Sequence, residues 1–286
     1  MGPNLKLVAG AAAIAAAAAL CAPAPAAAVG PRYMTVMTFN VARGQVAGGD
    51  LRRIAAVIRS ARPNVVGLQE VDRSWSRSGG VDQLAELARL LGMRYQFTPT
   101  LDCAGRDTDA DGFCQYGTAI LSRHPILPAS ARRFRLPGRP GEEPRALARV
   151  TVDVAGRPVD VFNTHLSFVE ATRVRQVEAV KRLVRHDRRP FVLTGDFNAL
   201  PFHLEMVSLR RVVRDGPTAA GRPHLRTTAL ARPVRLDYVF LPRPPFNGPP
   251  ERVAALSAFV ITRPRVSDHR PLVLRIRIPG AATGPR

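Results

Sequence analysis

Apolar residues recur along this chain with two spacings. Short apolar runs predict strands at 33–41, 65–68, 117–122, 146–154, 158–165, 191–195, 236–241 and 272–278. Between them, apolar positions three or four apart predict helices. Leu51, Ile54, Val57 and Ile58 share one face behind Asp50, a carboxylate suited to a helix start, and Pro63-Asn64 ends that helix. A second amphipathic stretch, 81–91, stops at Gly92. A third, 170–186, carries Val174, Val177, Val180 and Val184 along one side. There is no internal repeat. The Pro-rich stretch 242–250 has strand-like segments on both sides and reads as a loop. Residues 29–279 therefore read as one mixed α/β domain, with a frayed tail at 280–286.

Polar residues stand at the ends of the apolar runs: Asn40, Glu70, His165, Asp196, Asn198 and His269. One such residue is ordinarily a turn former or a solvated cap. Six of them give a sheet the means to aim side chains from distant parts of the chain at one point. The carboxylates Glu70, Asp196 and Asp268, with the amides Asn40 and Asn198, are hard oxygen donors that suit Mg²⁺ or Mn²⁺. His165 and His269 are proton-transfer groups. Asp237, between Leu236 and Tyr238 in a strand, is placed to orient a histidine. Acids, histidines and a divalent ion together describe phosphoester hydrolysis. The sequence contains neither the Gly-x-Ser-x-Gly elbow of serine hydrolases nor a P-loop.

Composition narrows the classes further. The 286 residues are 46 % hydrophobic, which excludes a disordered chain. The 42 basic and 22 acidic residues give a net charge of +20, and all basic residues but Lys6 and Lys181 are arginine. The arginine preference reads as codon bias; the excess over acids does not, and it favours nucleic acid, anionic lipid or another polyanion. Lys6, the apolar run 7–20 and the small residues up to Ala26-Ala27-Ala28 form the pattern of a secretory signal peptide over 1–28. The expected location is extracellular. An uncleaved anchor is the alternative, although the run is short for a span of about 20 residues. In an oxidising compartment Cys103 and Cys114 have one pairing open to them, worth roughly 2–3 kcal/mol; two free thiols are the other reading.

Seven short motifs occur in order: Thr38-Phe39-Asn40, Leu68-Gln69-Glu70, Tyr116-Gly117-Thr118-Ala119, Asn163-Thr164-His165-Leu166, Gly195-Asp196-Phe197-Asn198, Leu236-Asp237-Tyr238 and Ser267-Asp268-His269-Arg270-Pro271. The chain resembles the endonuclease/exonuclease/phosphatase superfamily from about residue 33 to 277. The resemblance implies an α-β-β-α sandwich of four layers, with two central, mostly antiparallel sheets. It implies Glu70 as the main Mg²⁺ ligand, with Asn40 and Asp268 nearby. Asp196 would activate the attacking water, and Asn198 would hold a phosphate oxygen. His269, paired with Asp237, would contact the scissile phosphate, and His165 would serve the leaving group. Tyr116 and Arg145 match substrate-facing positions, each with a bland alternative, packing for the tyrosine and solvation for the arginine.

Asp107, Asp109 and Asp111 resemble the start of a Ca²⁺ loop, but Thr118 stands where such a loop needs glutamate. Three functions fit. Charge and export favour a secreted nuclease by a small margin. A sphingomyelinase-like or other small or lipid phosphoester hydrolase is the alternative, with Trp75 as its one aromatic for a membrane. An inactive polyanion-binding module is the third. No obligate protein partner is evident.

Overall fold

A computed structural model describes residues 32–103, 113–248 and 252–280. The expected signal peptide, the aspartates Asp107, Asp109 and Asp111 and nearly all of the tail lie outside these residues. The chain runs through β1 (Arg32–Asn40), α1 (Leu51–Ser60), β2 (Val65–Arg73), α2 (Gln83–Leu91), β3 (Arg94–Asp102), β4 (Gln115–Ser122), β5 (Arg132–Arg135), β6 (Ala146–Asp153) and β7 (Pro158–His165). It continues through α3 (Glu170–Arg185), β8 (Phe191–Asp196), α4 (Leu204–Leu209), β9 (Val213–Asp215), α5 (Gly216–Ala219), β10 (Asp237–Pro242), β11 (Ala254–Val260) and β12 (Leu272–Ile278). Asp50 caps α1 by accepting from Arg52 N, and Asp82 caps α2 by accepting from Ala85 N. The second helix thus starts at Gln83, later than its apolar pattern suggests.

Two six-stranded sheets result, ordered β11-β12-β1-β2-β4-β3 and β5-β6-β7-β8-β10-β9. Only β1–β2 and β7–β8 pair in parallel, so the sheets are mostly antiparallel, as expected. The alternation of side chains along each strand sorts the core into three layers. Met37, Phe39, Val66 and Leu68 pack outward against Ile54, Ile58, Leu84 and Leu87 of α1 and α2. Phe162, Phe191, Leu193 and Phe240 pack outward against Val177, Val180 and Val184 of α3 and Met206 of α4. Met34, Val36, Val65, Leu272 and Leu274 meet Val150, Val161, Val192 and Val239 between the sheets. Helices, sheet, sheet and helices make the four layers.

The middle layer changes character along its length. On its inner face β1 reads Met34, Val36, Thr38, Asn40; β7 reads Val159, Val161, Asn163, His165; β8 reads Val192, Thr194, Asp196. Each strand turns from apolar to polar towards the same edge. Where the change occurs, buried polar groups cross between the sheets. Gln69 donates to Asn163 Oδ1 (2.8 Å) and Thr38 Oγ1 (3.1 Å), and Asn163 donates to the carbonyls of Leu68 (2.8 Å) and Ala119 (3.0 Å). Thr194 also donates to Asn163 Oδ1 at 3.0 Å. Gly67 leaves room for this seam: a Cβ there would lie 2.2 Å from Thr194 Oγ1 and 2.6 Å from Asn163 Oδ1.

Eight strands lie where the apolar runs predict them. The other four, β3, β5, β9 and β11, are the edges of the two sheets. Cys103 and Cys114 are bridged and pack with Trp75 and Tyr116. Among the described residues no helix is long and apolar enough to cross a membrane.

Candidate active site

At the polar edge, the first sheet contributes Asn40 and Glu70. Asn40 ends β1, fully buried, and its Nδ2 donates to Glu70 Oε1 (2.9 Å) and, across the sheets, to Asp196 Oδ2 (3.1 Å). Its Oδ1 accepts from Ala42 N at 3.0 Å. Glu70 sits at a bulge, where β2 spends one residue more than β4 between Leu68 and Val71, and it has φ +55°. Positive φ is costly for a side-chain-bearing residue. Here it turns the carboxylate into the cleft, where Arg43 Nη1 meets Oε2 at 2.9 Å. Arg43 itself has φ +55°. The sequence expectation placed Glu70 beyond a strand end; it lies within the strand, re-aimed by the bulge.

The second sheet contributes His165, Asp196 and Asn198. Asp196 is buried, and its Oδ1 accepts from Asn198 N at 2.9 Å. Burial, then the neighbouring Asp237 charge, raise its pKa well above the carboxylate range. Asn198 has φ +48° and donates through Nδ2 to Leu166 O at 2.9 Å, with Nδ2 3.1 Å from His165 Nε2. On the other side of that ring, Arg145 Nη1 lies 2.8 Å from Nδ1. Both neighbours can only donate, so one of the two contacts is not a hydrogen bond; with the closer, charged Arg145 donating to Nδ1, the neutral ring's proton sits on Nε2, where the Asn198 amide nitrogen cannot accept it. Burial, and then the Arg145 charge, push the His165 pKa far down. Arg145 is buried and also pairs with Glu143 at 2.8 Å, so it is not a solvated arginine. Tyr116 is buried too; burial and the Glu70 and Glu143 charges push its phenol up, so it stays protonated.

The third contribution is the segment before β12. Ser267 Oγ donates to Asn40 O at 2.7 Å and accepts from His269 N at 3.1 Å, which ties this segment to the end of β1. His269 Nδ1 bonds Asp237 Oδ2 at 2.8 Å. Burial alone would lower the His269 pKa; the Asp237 charge and hydrogen bond, with Asp196 and Asp268, hold it at about 10. His269 Nε2 lies 3.6 Å and His165 Nε2 3.7 Å from the same atom, Asp196 Oδ2.

The structure thus gathers Asn40, Glu70, His165, Asp196, Asn198, Asp237 and His269, and places Arg145 behind His165. Asp268 is exposed, its Oδ1 accepting from Ser267 Oγ at 3.2 Å. Among the described residues, Asp196, Asp237 and His269 alone form a tight group of metal-ligating types, with ligand atoms within 4.8 Å of one another. His269 and Asp237 already share a hydrogen bond. Asn40 turns its nitrogen, not its oxygen, towards Glu70 and Asp196. Carboxylates and amides dominate the donors, and two carboxylates converge on the partial positive charge of one amide; that set fits a hard divalent cation.

Sequence reasoning missed several supporting residues. Arg43 carries no motif. Gln176 is buried; it accepts from Ser167 N (2.8 Å) and donates to Pro137 O (2.8 Å), fixing the turn after His165. Arg173 is buried on α3 and donates to Glu205 Oε1 (2.7 Å) and Phe168 O (3.0 Å). Trp75 is no membrane-facing aromatic: it is buried, with the Arg77 guanidinium 3.8 Å above its ring.

Comparison with known proteins agrees with the fold. The family model described as the endonuclease/exonuclease/phosphatase family matches residues 37–269. No curated protein sequence matches the chain. Solved structures do. A complex of D. rerio TDP2 with a single-strand DNA product has 17 % identity and a TM-score of 0.64, covering 85 % of this chain and 98 % of that one. A mannosyl-6-phosphatase of Bacteroides thetaiotaomicron has 19 % identity and a TM-score of 0.62, covering 85 % and 99 %. A family protein from Leptotrichia buccalis has 16 % identity and a TM-score of 0.65, covering 85 % and 99 %. At these identities the likeness is one of fold.

Proposed function

The chain belongs to the endonuclease/exonuclease/phosphatase family, and from that premise we propose that it is an exported, divalent-metal-dependent phosphodiesterase. The observation that carries this reading is the convergence of the two histidine Nε2 atoms on Asp196 Oδ2, at 3.7 and 3.6 Å. An acceptor flanked by two donors of different charge is an arrangement for moving a proton beside an anion. Glu70, with Asp268, would hold Mg²⁺ or Mn²⁺, and Asn40 would join them by turning its amide so that Oδ1, bonded here to Ala42 N, faces the ion. The ion would offset phosphate charge that builds in the transition state.

The chain's own residues account for the rest. Asp196, kept basic by burial and by Asp237, takes the proton of the attacking water. Asn198 donates to a phosphoryl oxygen. His269, held cationic by Asp237, faces the phosphate. His165, neutral, offers its Nε2 proton as a hydrogen bond to the leaving oxygen. Arg145 fixes that tautomer.

The test is hydrolysis of bis(p-nitrophenyl) phosphate with Mg²⁺ or Mn²⁺. We expect turnover that falls by about 10²–10⁴ in Asp196→Asn and His269→Ala. Silence of the unaltered protein on every phosphoester, with both metals, would overturn the reading in favour of a polyanion-binding module. Export is tested by N-terminal sequencing of chain recovered outside the cell, with a new terminus expected after Ala28. Net charge of +20 supports a second reading, a nuclease. Plasmid cleavage that weakens steeply with salt would support it.

A further inference from the structure

Among the described residues, the three most exposed large apolar side chains are Leu204 (84 %), Phe168 (76 %) and Phe202 (72 %). All three sit beside the reaction centre. Phe168 is three residues beyond His165, and Phe202 is four beyond Asn198. Leu204 begins α4, two residues further on. The turns that carry them are fixed to each other and to the site. Leu166 N donates to Asp196 O at 2.9 Å, and Asn198 Nδ2 donates back to Leu166 O. Buried Arg173 spans both turns, donating to Phe168 O and Glu205 Oε1, with Nη2 3.3 Å from His203 Nδ1. The Phe202 ring rests edge-on against His203 at 5.3 Å.

These side chains are held in water by backbone that is itself ordered. No collapse onto the core is open to them, because Arg173 and Gln176 fix the turns from below. A cluster of large apolar groups kept in solvent marks a contact surface. Val174 and Val207, both partly exposed, lie on the adjoining helices α3 and α4. Across the site stands a fourth apolar group, Leu230 (52 %), two residues from Thr228, which bridges to His269.

We propose that Phe168, Phe202 and Leu204 form a docking rim that seats the reaction centre on an anionic phospholipid surface. Two observations favour this occupant. The charge of +20 suits anionic lipid as it suits any polyanion, and what turns it to lipid is the most exposed tip, Leu204, an aliphatic group that enters a headgroup boundary and cannot stack on a base. The rim is also only three and four residues from His165 and Asn198, so apolar tips below the headgroups leave the reaction centre at the level of the phosphates. A lipid headgroup is a phosphodiester, so the proposal rests on the phosphodiesterase reading for its purpose and names the surface that presents the substrate.

The test compares the chain from Val29 onwards, which carries every described strand and helix, with the triple variant Phe168→Ser/Phe202→Ser/Leu204→Ser. Omitting the leader removes its apolar run from the measurement. Binding is read by co-sedimentation with phosphatidylcholine vesicles containing 30 mol% phosphatidylglycerol. The unaltered protein should bind, and the variant should bind about tenfold more weakly or worse. Its melting temperature and its bis(p-nitrophenyl) phosphate turnover should be unchanged. Equal binding by both proteins would overturn the proposal, since charge alone would then suffice. So would absence of binding by the unaltered protein. So would loss of single-stranded DNA binding in the variant with vesicle binding retained, because the phenylalanines would then be stacking on bases. Vesicle binding without turnover would instead overturn the phosphodiesterase reading and leave the rim standing.

Discussion

His165 and His269 lie 3.7 and 3.6 Å from the same carboxylate oxygen, Asp196 Oδ2, and are held in opposite states. His269 has Asp237 on Nδ1 and is a cation up to a pKa of about 10. His165 has Arg145 on Nδ1 and stays neutral. Burial works against the charged form of both, so depth does not separate them. The partner on the far nitrogen does. One cleft thereby holds a fixed positive charge and a neutral donor side by side, from one residue type, at one pH.

The contrast breaks hardest at Asp237. Asp237→Asn should cost about 10²–10⁴ in turnover. His269, losing its anion, should titrate nearer the ordinary histidine value of about 6.5. Its cation then disappears as pH rises through that value, whereas the unaltered protein keeps it until about pH 10. A pH–rate profile beside a histidine NMR titration reads both effects. Arg145→Met should act the other way. The His165 pKa should rise, because the neighbouring positive charge is gone, and both tautomers should become populated. Turnover should fall by about ten- to a hundredfold through lost orientation. An unchanged His165 titration would show that burial alone keeps the ring neutral.

Gln176→Ala tests the support rather than the partner. It leaves Ser167 N unpaired and should cost about 1–3 kcal/mol by thermal unfolding. The smallest effect lies far from the cleft, where Asp187 faces Asp160. Burial and that like charge raise the Asp187 pKa to about 6. The folded state therefore binds more protons than the unfolded chain between about pH 4 and 6, and stability falls as pH rises through that window. Asp187→Asn should stabilise by about 1 kcal/mol at pH 8 and have no effect near pH 4.

How much of this the sequence disclosed depended on where a strand lies. The eight inner strands show as apolar runs because both faces are covered. The edges β5 (RRFR) and β3 (RYQFTPTLD) have one ladder partner and more solvent, and β9 (VRD) is only three residues long. They carry arginine, proline and polar residues that protect an open edge and erase the signal. At the site, the principal side chains were legible, because each sits in a short motif, most of them at or near a strand terminus. Their electrical states were not. Arg145 lies twenty residues from His165, and the two meet only because β6 and β7 pair antiparallel. The positive φ of Glu70 and the exposure of Phe168 likewise arise from pairing and packing that no local pattern encodes.

The seam of Thr38, Gln69, Asn163 and Thr194 beneath the cleft has a consequence for precision. Greasy layers tolerate sliding, because one methyl contact substitutes for another, whereas hydrogen bonds between named atoms accept a single alignment. The cleft is assembled from two sheets, so its calibration depends on that alignment to a fraction of an ångström. Replacing all four residues by apolar side chains of similar size removes the side-chain donors and acceptors together and leaves only backbone carbonyls, such as those of Leu68 and Ala119, short of a donor, so most of the melting temperature should be kept. Turnover should nonetheless drop. Such a chain would be robust and badly aimed, and comparing its unfolding with its kinetics would separate the part of the interior that keeps the protein folded from the part that keeps it in focus.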